Sequence, residues 1–106
     1  MRRLAWTAVL LAAGCASAVP LPTEREAETA RRTDPTATVE SLRSGRERYV
    51  TKCSGCHSLY SPRDKSPEEW PRLLDEMSAK AKCGAGDRRR IEQYLLAIAR
   101  TPETNR

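Results

Sequence analysis

Between residues 38 and 100, apolar side chains recur at intervals of three and four, a spacing that predicts amphipathic helices. The first predicted helix is TVESLRSGRERYVTKC, and its apolar side chains are Val39, Leu42, Tyr49, Val50 and Cys53. Gly45 interrupts this helix at a cost of about 1 kcal/mol relative to alanine, so we expect a packing reason such as the close approach of another helix. Because no strand pattern is evident, the sequence predicts an all-α domain of about three helices.

The second predicted helix has a recognisable start in SPEE. Ser66 is suited to be the N-cap, Pro67 the first helical residue and Glu69 the partner in a capping box. Pro71 lacks a backbone donor, so we expect the first turn to be distorted or separate from the rest. The apolar stripe that follows is formed by Trp70, Leu73, Leu74, Met77 and Ala81.

The third predicted helix follows CGAG at residues 83–86 and runs from about Asp87 to Arg100. Its apolar face carries Ile91, Tyr94, Leu95 and Ile98. Cys83 lies in the break between the two helices. We expect it to be a small buried residue, which is a common state for a cysteine, with an intermolecular disulfide as the alternative.

The N-terminal residues have the pattern of an export signal. Arg2 and Arg3 precede an apolar run from Leu4 to Ala13, which is shorter than the ~20 residues of a membrane-spanning helix. LAAGC, ending at Cys15, resembles the lipobox of bacterial lipoproteins, with Ala12 where leucine is usual. This resemblance implies a signal peptide over 1–14 and a lipid on Cys15. The alternative is cleavage after Ala18, which would leave a soluble periplasmic protein.

The stretch VPLPTEREAETARRTDPTAT, residues 19–38, contains three prolines, charges of both signs and almost no large apolar side chain. Such a composition buries too little surface to offset the entropy of ordering, so residues 15–38 are predicted to be a flexible tether. A coil of ~20 residues has an r.m.s. reach on the order of 25 Å. The globular domain is then expected over 39–106. A domain of this size is close to the lower limit for an unassisted hydrophobic core and usually needs disulfides, a metal or another internal support.

CSGCH at residues 53–57 contains the one histidine of the chain. A redox dithiol of the thioredoxin type follows a strand, and none is predicted here. A zinc site needs four ligands, and the adjacent Cys56 and His57 would have difficulty converging on one ion with Cys53 and the distant Cys83. Covalent haem needs no such convergence, because Cys53 and Cys56 form thioethers at the porphyrin edge and His57 binds the iron. The motif therefore predicts one haem c.

Met77 is the candidate for the second axial ligand of the iron. It is the one methionine left once Met1 is removed with the signal, and it lies on the apolar stripe of the second helix. The alternatives are that Met77 fills the core while the iron is five-coordinate, or that Lys65, Lys80 or Lys82 binds the iron.

Taken together, GRERYVTKCSGCH, the segment from Trp70 to Met77 and the closing IEQYLLAIA resemble a small class I cytochrome c. The resemblance implies a cytochrome c-like fold in which the first and last helices cross closely, with Gly45, Tyr49, Tyr94 and Leu95 at the contact. It is to the shorter relatives, whose methionine ligand lies on a helix. It also implies that a backbone carbonyl in SLYSPRD, near Pro62, orients His57.

These features favour a membrane-tethered periplasmic electron carrier that exchanges single electrons with redox proteins. By analogy with bacterial lipoproteins, Ala16 directly after Cys15 favours the outer membrane as the destination. No acid, base or nucleophile constellation accompanies the motif, so we expect neither an enzyme nor a small-molecule substrate. The alternatives are a haem-based sensor with an open sixth position and the electron-accepting subunit of a periplasmic dehydrogenase.

Net charge argues against nucleic acid as a partner. The 19 basic and 14 acidic residues give +5, and loss of Arg2 and Arg3 leaves 17 basic residues and a net charge of +3. The run Arg88-Arg89-Arg90 is typical of a solvated helix face.

Overall fold

The computed structural model describes residues 19–53 and 59–103, and within these ranges all regular structure is helical. The elements are α1 (Glu24–Arg31), α2 (Val39–Cys53), a short 3-10 helix η1 (Pro62–Asp64), α3 (Trp70–Ala81) and α4 (Ala85–Arg100). The predicted all-α class is confirmed for this part of the chain. None of the described helices is long and apolar enough to cross a membrane.

The centre of the domain is the crossing of α2 and α4 at Gly45. A Cβ atom at this position would lie 2.1 Å from the carbonyl oxygen of Arg90 and 2.9 Å from the Cβ of Tyr94, so the crossing has room for glycine alone. Beside it, the fully buried rings of Tyr49 and Tyr94 have centroids 6.5 Å apart, and Leu95 belongs to the same core. The predicted helix crossing and its contact residues are therefore confirmed.

α3 begins at Trp70, after a separate turn in which the hydroxyl and the carbonyl oxygen of Ser66 accept from the Glu69 amide at 3.2 and 3.0 Å. The expectation of a separate first turn is confirmed, because Pro71 stands at the start of the helix proper. Trp70 and Leu74 are buried, and Leu73 and Met77 pack half-buried against the same core. The apolar stripe thus faces the interior.

α1 occupies part of the segment that was predicted to be a flexible tether. The Thr23 hydroxyl accepts from the Arg25 amide at 3.3 Å, and the Thr23 amide donates to the Glu26 carboxylate at 2.7 Å, which caps the helix. Ala27 and Ala30 are buried in a small cluster with other short side chains and one leucine, namely Ala37, Leu42 and Ala97.

Two further hydrogen bonds connect this segment to the middle of α4 and to the residues that follow this helix. The guanidinium of Arg25 donates to the Pro102 carbonyl at 3.0 Å, and the amide of Gln93 donates to the Asp34 carboxylate at 2.8 Å. The expectation of an unstructured stretch is wrong for α1. The composition suggested too little burial because the segment has few large apolar side chains. In the structure, its alanines are buried by close helix packing.

Candidate functional site

The first cysteine of the motif ends α2. Cys53 is the last residue of the helix, and its side chain is buried with 6% exposed. Cys56 and His57 lie outside the described residues, as does Cys15 with the predicted signal segment 1–14. Their assigned roles therefore stay predictions, and the geometry of the site rests on its neighbours.

A cavity of about 250 Å³ lies beside this end of α2. It is lined by Lys52, Cys53, Tyr60, Leu73, Glu76, Met77, Lys80 and Ala81. The structure thus brings the first cysteine of the motif and the candidate axial methionine to the same cavity, from two different helices. Of the three lysines considered as alternative iron ligands, Lys80 lines this cavity as well.

The loop that follows the motif is fixed to the core by two buried aromatic side chains. The Tyr49 hydroxyl donates to the carbonyl of Tyr60 at 2.7 Å, and the Trp70 indole donates to the carbonyl of Pro62 at 2.8 Å. The two rings meet edge to face with centroids 6.3 Å apart. Burial raises the pKa of Tyr49, so the phenol keeps its proton and remains a donor. Tyr60 and Pro62 therefore hold defined positions, and Tyr60 forms part of the cavity wall.

η1 adds a second attachment of this loop. The Ser61 amide donates to the Asp64 carboxylate at 2.9 Å, which caps the short helix, and the Arg63 guanidinium donates to the Thr101 carbonyl at 3.1 Å. The sequence pattern predicts Tyr49 and Trp70 on apolar faces but not their hydrogen bonds to the Tyr60 and Pro62 carbonyls. Their acceptors are backbone carbonyls, which carry no sequence signal.

An ion cluster at the end of α2 includes Lys52, one of the residues that line the cavity. Asp87, in the first turn of α4, contacts Arg48 Nε at 2.7 Å and Lys52 Nζ at 3.5 Å. The hydrogen bond from Arg48 holds the pKa of Asp87 below its usual value. The carboxylate therefore stays charged at neutral pH and links the last turn of α2, next to Cys53, to α4.

The donor set of the cavity fits a haem in kind. A thiol at Cys53 can form a thioether, the Leu73 side chain supplies an apolar wall, and the Met77 sulfur is a soft, uncharged donor suited to iron. Cys83 packs against the core but is only half-buried, so the expected full burial is not observed. Within 19–53 and 59–103, no group of three or more His, Cys, Asp or Glu side chains could hold a metal ion by itself.

Comparisons with known proteins give no match, so the functional assignment rests on the residues of this chain. No family model matches the chain, and searches of the curated proteins and of the solved structures found no match.

Proposed function

We propose that this protein is a small c-type cytochrome that carries one covalent haem and transfers single electrons between redox proteins. The observation that carries the proposal is that Cys53 and Met77, the first residue of CSGCH and the candidate distal ligand, line one cavity. Cys53 and Cys56 would hold the haem as thioethers, and His57 and Met77 would bind the iron. When bound, such a group supplies a one-electron couple between ferrous and ferric iron.

The fold would keep the haem-binding side chains in fixed positions. Met77 projects from a helix anchored by the fully buried Trp70 and Leu74. Cys53 projects from a helix anchored at the Gly45 crossing. A donor that does not move between oxidation states keeps the reorganisation that accompanies electron transfer small. The half-buried Leu73 beside Met77 limits the access of water to the sulfur.

The proposed setting is the periplasmic side of a bacterial membrane, with the chain attached through a lipid on Cys15. This part of the proposal is supported by the lipobox-like LAAGC and by the export-type residues before it. It also suits the chemistry, because covalent attachment at C-x-x-C-H occurs outside the bacterial cytoplasm in the families that use this motif.

Optical spectra with and without carbon monoxide test the carrier against the sensor. A thioether opposite histidine should keep the iron low-spin, give the ferric protein a weak far-red sulfur-to-iron band and slow carbon monoxide binding to the ferrous protein. Met77→Ala should lose the band and bind carbon monoxide quickly. Leu73→Ala is the matched control, since it alters the same cavity without removing sulfur, and it should keep the band.

Covalent attachment is tested separately on denaturing gels. The protein expressed in a periplasm should keep a haem stain, Cys56→Ala should weaken or abolish it, and Cys83→Ala, a cysteine outside the motif, should leave it unchanged. Zinc without haem in the purified protein would overturn the proposal. A haem stain combined with rapid carbon monoxide binding to the unmutated protein would favour the sensor instead.

A further inference from the structure

The residues closest to the proposed lipid anchor are built into the folded domain. Val19 is 8% exposed and belongs to the main core, and its carbonyl accepts from Arg46 Nε at 2.9 Å. The carbonyl of Pro20 accepts from the Tyr94 hydroxyl at 2.5 Å, and Pro22 is fully buried. The chain is therefore fixed to α2 and α4 from Val19 onward.

This attachment limits how far the domain can move from a lipid on Cys15. Cys15 is four residues before Val19. At the ~3.5 Å per residue of an extended chain, the two are at most about 14 Å apart. A free tether of ~20 residues would instead have an r.m.s. reach on the order of 25 Å. An acylated Cys15 would thus keep the bilayer surface near the face of the domain that carries Val19 and Leu21.

That face has an exposed apolar side chain beside charged ones of both signs. Leu21 is 64% exposed, more than any other large apolar side chain in the described residues. It borders a groove of about 470 Å³ along α2, and the lining also contains Arg43, Arg46 and Val50 together with the carboxylates of Glu40 and Glu47. A leucine at the headgroup boundary suits a lipid surface, and the exposed Arg43 can direct its guanidinium group to a lipid phosphate, whereas Arg46 Nε is engaged by the Val19 carbonyl.

We infer that this face, formed by Leu21, Arg43, Arg46 and Val50, lies against the lipid headgroups of the membrane that holds Cys15. The inference rests on the lipid attachment within the proposed function. It implies that the domain has a defined orientation on the membrane, which a flexible tether would not give. The groove shares no lining residue with the Cys53–Met77 cavity. Contact with lipid at this face therefore leaves the cavity open to a protein partner that approaches along or above the membrane.

The test uses full-length protein matured in a bacterial periplasm and reconstituted into vesicles of equal parts phosphatidylethanolamine and phosphatidylglycerol. In a Cys83→Ser background, a nitroxide label is attached after Leu21→Cys or, as the matched control, after Arg89→Cys. Arg89 is exposed on α4, the helix that packs against the opposite side of α2. Collision rates of the label with oxygen and with a water-soluble nickel complex are measured in the reduced protein, with and without vesicles.

Vesicles should raise the oxygen collision rate and lower the nickel collision rate at position 21, and should leave both rates unchanged at position 89. Equal responses at the two positions would overturn the inference while leaving lipid attachment intact. Mass spectrometry separates the premises. A mature chain without a lipid on Cys15 would overturn both the anchoring and this inference, whereas a missing haem mass would overturn the cytochrome proposal alone.

Discussion

Two regions along α2 are built in opposite ways. At Gly45 the helix meets α4 so closely that a single added Cβ would overlap the Arg90 carbonyl, whereas at Cys53 the same helix borders a cavity of about 250 Å³. The first region is filled by the chain's own atoms, and the second combines a thiol, a thioether and an apolar wall in one space. The difference indicates that close packing stabilises the fold at the crossing, while the Cys53 end has the space and the sulfur atoms that the proposed haem site needs.

The largest effect is expected from breaking the filled region. Gly45→Leu should lower the free energy of unfolding by about 3 kcal/mol or more, because a backbone carbonyl cannot move aside cheaply. Urea unfolding of the purified protein measures this. Gly86→Ala is the control, since a Cβ there meets nothing within 4 Å. It should be neutral or stabilising by up to about 1 kcal/mol. Equal stability of Gly45→Leu and the unmutated protein would refute the crossing as the main source of stability.

Two tyrosine variants should have a smaller effect on stability, and they should show which of the two regions influences the candidate site. Tyr49→Phe removes the donor to the Tyr60 carbonyl at the cavity wall, and Tyr94→Phe removes the donor to the Pro20 carbonyl on the far side. Each should cost about 1 to 2 kcal/mol, since a hydrogen-bonded acceptor loses its partner. The optical spectrum should change in Tyr49→Phe and stay constant in Tyr94→Phe. Identical spectra in both variants would show that the loop after the motif does not depend on Tyr49.

The smallest effect concerns α1, which packs on α2 and α4 through Leu42 and Ala97. Thr23→Ala removes the N-cap and should cost about 1 kcal/mol at neutral pH. Thr51→Ala is the control, because this exposed hydroxyl on α2 bonds to carbonyls of its own helix. Thermal unfolding of both variants measures the difference. An equal melting temperature for Thr23→Ala and Thr51→Ala would mean that the Thr23 cap adds no stability.

The same capping interaction should depend on pH. Burial by itself raises the pKa of Glu26, but hydrogen bonds from the hydroxyl and amide of Thr23 outweigh it, and the net pKa lies below the ordinary 4.5. A lowered pKa stabilises the fold above that value and the stabilisation disappears as the pH falls through the folded pKa. The stability gap between Thr23→Ala and the unmutated protein should therefore narrow in acid. A gap that is constant with pH would contradict the role of the Glu26 carboxylate.

Much of the helical framework could be predicted from the sequence because its causes are local. The periodicity of apolar residues defined α2, α3 and α4 to within a few residues, and Pro71 marked the separate turn before α3. Gly45 signalled a close contact because glycine inside a helix is costly without one. The candidate site could be predicted in part, since CSGCH and the stripe methionine are chemically distinctive side chains at fixed spacings.

Tertiary structure alone decided the rest, because the remaining features depend on surfaces that other segments supply. α1 buries alanines that have little driving force in isolation and become stable where α4 offers Ala97 as a partner. The hydrogen bonds of Tyr49 and Trp70 end on backbone carbonyls, which every residue possesses and no sequence pattern marks. Cys53 and Met77 are distant along the chain, and they share one cavity because the packing of α2, α3 and α4 places the end of one helix beside the face of another.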